Sequence, residues 1–172
     1  MKRFFTIITF LLVYIGLFAQ DPDDIRIDSF AGLAFGMSKD VAIEKIQAKK
    51  EYASTAYQGT DTYHITYITL VSIIFDACDL HFFNDELFSG IFTKKVESKE
   101  QSIELYKTIY YKLEEKYGTP VQKKDYLAGW QSNDFKAILL SIKNEDSQLL
   151  VRLTYLDRIK AGEKAKLQKD DL

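Results

Sequence analysis

Residues 74–120 read IIFDACDLHFFNDELFSGIFTKKVESKEQSIELYKTIYYKLEEKYGTP. The stretch parses as strand, tight turn, strand, helix, stop. Side chains alternate across a strand, so Cys78, Leu80 and Phe82 share one face while Asp79 and His81 share the other. Asn84-Asp85 is a turn signal between two strands. On the return strand Leu87, Ser89 and Ile91 alternate with Phe88, Gly90 and Phe92. A two-residue loop would set Phe82 opposite Leu87 and His81 opposite Phe88. Ser98-Lys99-Glu100-Gln101 then has the capping-box pattern, in which Ser and Gln side chains satisfy orphan N–H groups at a helix start. Ile103, Tyr106, Ile109, Tyr110, Leu113 and Tyr117 recur at helical spacing. Gly118 offers the left-handed position at the helix end, and Pro120 blocks continuation.

Upstream, the apolar run from Phe30 to Met37 predicts a first strand or extended segment. Ser38 is a good N-cap for a helix over 39–50, with Asp40 adding negative charge to its first turn. Its narrow apolar stripe is Val41, Ala42, Ile43 and Ile46, suited to packing on a sheet. A short strand is expected over 52–57, with a turn at Gly59-Thr60-Asp61. Over 62–70 the alternation is clean at first, with Tyr63, Ile65 and Tyr67 on one side and Thr62, His64 and Thr66 on the other. It blurs over 71–77, where Asp76 marks a turn or bulge. Downstream, strands are expected near 125–131, 135–142 and 149–155, the last two joined by a polar loop over 143–148. Connections between strands are too short for parallel crossovers. The expected fold class is therefore α+β: two layers, one antiparallel sheet with two helices packed on one face. Each helix precedes about three strands, which raises the idea of an internal duplication.

The N-terminus carries the strongest functional signal. Lys2 and Arg3 precede the uncharged run FFTIITFLLVYIGLF over 4–18, and Ala19 suits a cleavage site. This predicts a secretory signal peptide over 1–19, with an uncleaved N-terminal anchor as the alternative. An acidic linker over 20–29 follows, then a single domain over 30–157 and a charged, mostly solvated tail over 158–172, for which a frayed helix and disorder are the two alternatives. The expected location is periplasmic or secreted. Excluding Lys2 and Arg3, the 23 basic residues become 21 against 25 acidic, a balance of −4. That balance argues against a nucleic-acid surface, which needs clustered cations. Cys78 is the sole cysteine, so no intramolecular disulfide forms, and the fold must stand on its core.

Two short signatures carry a likeness to a known group. Gly36-Met37-Ser38 with Val41 resembles the helix opening of the SmpA/OmlA (BamE-like) outer-membrane-assembly lipoproteins, and Gly118-Thr119-Pro120 resembles a G-x-P helix stop of such domains. Repeated helix-plus-sheet units also build the β-lactamase-inhibitor-protein fold. This chain departs from that group in having no lipobox cysteine and in placing the G-x-P stop after the second helix. The resemblance implies a small exported binding module and transfers no functional residue.

Candidate chemistry is sparse. Cys78 and His81 suggest a thiol dyad, but alternation puts them on opposite faces, and Cys78 reads as a small buried hydrophobe. Asp79 and His81 share a face, and His64 becomes a third possible metal ligand if the strands are neighbours; the alternative is two solvent-facing histidines. Trp130 is a core anchor or an aromatic platform, with the core favoured. Tyr57, Tyr63 and Tyr67 form a partner-facing patch or a core wall, with the core favoured for Tyr63 and Tyr67. Lys160, Lys164, Lys166 and Lys169 read as a solvated tail balanced by Glu163, Asp170 and Asp171. No residue is assigned a catalytic, cofactor-binding or metal role, and no cofactor is expected. The expected function is a non-enzymatic binding or assembly module of the cell envelope, whose partner is another envelope protein. Nucleic acid is not expected as a partner, and the membrane is met only through an uncleaved N-terminal segment. The alternatives are an exported hydrolase or a small-ligand carrier with a cleft between sheet and helices.

Overall fold

Among the described residues, four of the five two-residue turns between paired strands share one geometry, and none of the four is Asn-Gly. They are Ala31-Gly32, Val71-Ser72, Asn84-Asp85 and Asp146-Ser147, and all eight residues have positive φ, between 48° and 78°. Both central residues at φ > 0 define the type I′ geometry, whose twist matches that of paired strands. The computed structural model describes residues 25–49 and 61–170. The expected signal peptide, the strand over 52–57 and Tyr57 lie outside the described residues.

The elements run β1 (Ser29–Phe30), β2 (Leu33–Ala34), α1 (Lys39–Ala48), β3 (Thr62–Leu70), β4 (Ile73–Phe83), β5 (Glu86–Val96), α2 (Lys99–Tyr117), β6 (Gln122–Lys124), β7 (Leu127–Gln131), β8 (Lys136–Glu145), β9 (Gln148–Asp157) and α3 (Arg158–Asp170). The fold is α+β. Strands β3 to β9 form one seven-stranded sheet in the order β3-β4-β5-β9-β8-β7-β6, and β1-β2 form a separate two-stranded ribbon. Every pair is antiparallel. The sheet consists of two meanders, one after each of the first two helices, that meet through their last strands, β5 and β9.

Strand β3 has the bounds that its alternation predicts. The blur over 71–77 has a physical cause. Ile65 and Ile68, three residues apart, are both fully buried, and so are Phe75 and Cys78. The pairing passes from Thr66↔Ala77 to Ile68↔Phe75 and skips Tyr67 and Asp76. Tyr67 has φ 54°, so each strand spends one extra residue and the inward set resumes on both together. The turn itself is Val71-Ser72, and Asp76 lies within β4, accepting hydrogen bonds from Lys94 Nζ at 2.8 Å and Lys95 N at 2.7 Å.

The β4–β5 hairpin keeps Phe82 opposite Leu87, as expected. Its next pair is His81↔Ser89, so Phe88 is an extra residue on β5. This β-bulge overturns the expected His81–Phe88 pair. The same hairpin caps α1. Ser38 occupies the N-cap without a side-chain bond, and Asp85 from the turn accepts from Lys39 N instead, through its backbone oxygen at 3.1 Å and Oδ1 at 3.3 Å.

Helix α2 starts at Ser98 as its capping box predicts, with the return bond displaced by one residue from Ser98 N to Glu97 N. Ser98 Oγ accepts from Gln101 N at 3.2 Å, while Gln101 Oε1 reaches back to Glu97 N at 3.0 Å. Gly118 ends it at φ 74°, ψ −165°, a region open to glycine almost alone and distinct from the left-handed helical position expected. Trp130 Nε1 donates to Gly118 O at 2.7 Å, which ties that helix end to β7.

Buried residues of α1 (Ala42, Ile43, Ile46) and α2 (Tyr106, Ile109, Leu113) join one cluster with inward residues of the sheet. One expected loop is corrected, and both outer segments contribute structure to the fold. Within the segment expected as a linker, Ile27 is fully buried in that cluster, an apolar residue among acidic ones. The 143–148 loop shrinks to Asp146-Ser147, because Lys143, Asn144 and Glu145 stay paired with Leu150, Leu149 and Gln148. Of the two alternatives for the charged tail, the structure has the helix: α3 is started by Asp157, whose Oδ1 accepts from Lys160 N at 3.0 Å. Its Ala161 is buried in a second cluster with Phe88 and Leu156. A single sheet with two helices is thus too simple: the ribbon and α3 complete the architecture. No helix among the described residues is long and apolar enough to cross a membrane.

Candidate functional site on the outer sheet face

The inward positions of β4, β5, β9 and β8 build the core, so their neighbours along each strand face the other way. The pairings Asp79↔Ile91, Ile91↔Thr154 and Thr154↔Leu139 line up one outward row across four strands. All four side chains are half-buried. The next row holds Ala77, Thr93, Arg152 and Ser141. Arg152 is fixed by a two-pronged pair with Glu145, at 3.0 and 2.7 Å, the geometry that best orients a guanidinium.

At the β3 side of this face, His64 Nδ1 lies 2.6 Å from Asp79 Oδ1, and both side chains are half-exposed. His81 belongs to the same face but stands apart from them in its surroundings. It is buried, at 7% exposure, and its Nδ1 lies 3.2 Å from Thr62 Oγ1. Burial lowers its pKa to about 4; the nearby Asp79 carboxylate opposes that shift and Lys164 adds to it. So the histidines are neither both solvent-facing nor brought into one ligand set. Among the described residues, no group of three or more His, Cys, Asp and Glu is placed to hold a metal ion.

Cys78 is fully buried on the inner face. Burial, and then the Asp79 charge, push its pKa well up, the reverse of what a nucleophilic thiol needs. An imidazole oriented by a carboxylate, as in His64–Asp79, is part of a general-base arrangement, and the thiol nearest to it in sequence points into the core. Trp130, at 1% exposure, is a core residue. Tyr63 is fully buried as expected, but Tyr67 is 57% exposed, because its positive φ turns it out of the inward set. The tail lysines divide: Lys160 and Lys164 bind the body of the protein, at Glu86 (2.6 Å) and Asp61 (3.1 Å), while Lys166 and Lys169 are exposed.

Between the end of β5 and α2 lies an open groove of about 530 Å³, lined by Lys94, Lys95, Val96, Glu97, Gln101, Glu104, Leu105 and Thr108. Its lining includes no aromatic ring. The outward row Ile91–Thr154–Leu139 went unnamed by sequence reasoning. In the register expected for the hairpin, Ile91 shares the face of Leu87 and Phe82; the extra residue Phe88 moves it to the outer face, and only the β5–β9 pairing brings the row together.

Comparison with curated proteins and with solved structures returns no match. The profile of one family, the TP0088 domain, matches residues 28–166, from just before β1 to within α3. The chain therefore belongs to the TP0088 domain family.

Proposed function

We propose that this protein is an exported, non-enzymatic binding or assembly module of the cell envelope that meets another envelope protein through its outer sheet face. In this reading the domain is two-layered, with α1 and α2 on the inner face of the principal sheet and much of the outer face left for contact. The observation that carries it is the half-exposed row Asp79, Ile91, Thr154 and Leu139 at the centre of the sheet. Such a row is mixed in polarity and backed by a packed core, which suits a partner surface better than a reaction centre. The N-terminal basic-apolar run supports export, and the Gly36-Met37-Ser38 helix opening, which resembles that of small assembly lipoproteins, supports an envelope role.

The test is capture of partners from envelope extracts by wild-type protein and by Ile91→Arg. The variant is expected to remain folded, which denaturant unfolding checks, and to lose specific capture. Equal capture by both proteins, or no specific capture by the wild type over a range of salt, contradicts the proposal.

A further inference from the structure

Helix α3 covers an apolar patch without having an apolar face of its own. Its sequence, RIKAGEKAKLQKD, is rich in charge. Its one fully buried side chain among the described residues is Ala161, while Ile159 and Leu167 are 51% and 53% exposed. Beneath it lie Phe88 at 2% exposure, Leu156 at 8% and the partly buried Phe83. The contacts that hold it are polar. Lys160 Nζ meets Glu86 at 2.6 Å. Lys164 Nζ meets Asp61 at 3.1 Å and Phe82 O at 3.2 Å, and sits 5.4 Å from the centre of the Phe88 ring. Only the first residues are fixed firmly to the sheet, through Lys136–Asp157 at 2.9 Å, Arg158 N to Phe135 O at 3.1 Å and Arg158 Nη1 to Gln131 at 2.5 Å.

Such an element has little local stability. A helix of this length is marginal by itself, and Gly162 lies in its interior, where glycine weakens a helix. Partly exposed ion pairs contribute little and are screened by salt. Segments with few buried apolar contacts open ahead of the global fold.

We propose that α3 is a salt-sensitive strap: it lifts from the sheet as a unit, hinged near Arg158, while the sheet stays folded, and so uncovers Phe83, Phe88 and Leu156. The uncovered patch continues the outer face. Ser89 and Leu156 are paired and lie two residues along β5 and β9 from the paired Ile91 and Thr154. That strap would then set how much of the face a partner meets. This consequence rests on the sheet face being the binding surface; the lifting itself does not.

The lifting is measured without any partner, on the full chain carrying Ala161→Cys, by thiol labelling under native conditions. Cys78, fully buried on the inner sheet face, reports global unfolding in the same molecule. The expected result is that position 161 reacts far faster than Cys78, and about fivefold faster again between 50 and 500 mM NaCl. Gly162→Ala, a site with open space for the added methyl, slows the labelling about fivefold, and Lys164→Ala speeds it. Amide exchange over α3 in otherwise unaltered protein gives the same order without the new cysteine. Labelling of position 161 and Cys78 at one common rate, or α3 exchange matching that of β5 and β9, overturns the strap. Separate opening that ignores salt and Lys164→Ala overturns the ionic latch.

Discussion

His81 shows how one side chain couples the outer face to stability. In the unfolded chain it takes up a proton near pH 6.5, whereas in the fold it stays neutral until about pH 4. Between those values the unfolded state binds more protons, so stability rises with pH through the window and is lost on acidification. The loss expected from pH 7 to pH 4 is about 3 kcal/mol. Denaturant unfolding across that range checks it: His81→Gln should flatten the slope, and an unchanged slope would show that other groups set it. Gly90 makes a different demand. A methyl built there runs into the Phe30 ring, which stacks on Tyr155 at 5.1 Å. Gly90→Ala is therefore expected to cost about 1–3 kcal/mol by overpacking. In a Phe30→Ala background, where the obstacle is gone, the same change should be close to neutral. Equal costs in both backgrounds would show that the ring is not what requires glycine.

Elements were legible where a local signal coincides with burial. Strand β3 and the start of α2 follow from alternation and from Ser98 with Gln101. Elements were lost where a single inserted residue or a distant partner decides. Phe88 is apolar in an apolar strand, so nothing local marks it as a bulge. The charges after Asp157 leave a frayed helix and a disordered tail both open, and α3 gains Glu86, Asp61 and Phe82 as contacts only through the fold. The turns test this scale directly. Val71 at φ 48° is a β-branched residue in the left-handed region, which costs an L-residue roughly 1–2 kcal/mol. Replacing Val71-Ser72 by Asn-Gly should raise stability by about that much, read as a higher denaturant midpoint with an unchanged slope. A lower midpoint would mean that Val71 makes packing contacts worth more than its conformational strain.

At the scale of the molecule, the sequence suggests two helix-plus-strand units, and the structure joins them at β5 and β9. That junction pairs Ser89 with Leu156 and Val96 with Leu149, residues far apart in the chain, and no local period announces such a pairing. It nevertheless creates the feature on which the functional account rests, since Ile91 from one meander and Thr154 from the other become neighbours on an open face. The α+β class was legible from periodicity, but that shared surface was not. The most direct measurement is photo-cross-linking in the envelope, with a photoreactive side chain at position 154 on the outer face or at Lys107 on the exposed side of α2. Binding through the outer face predicts a discrete adduct with another envelope protein from position 154 and none from position 107. Adducts from position 107 with none from position 154 would contradict it.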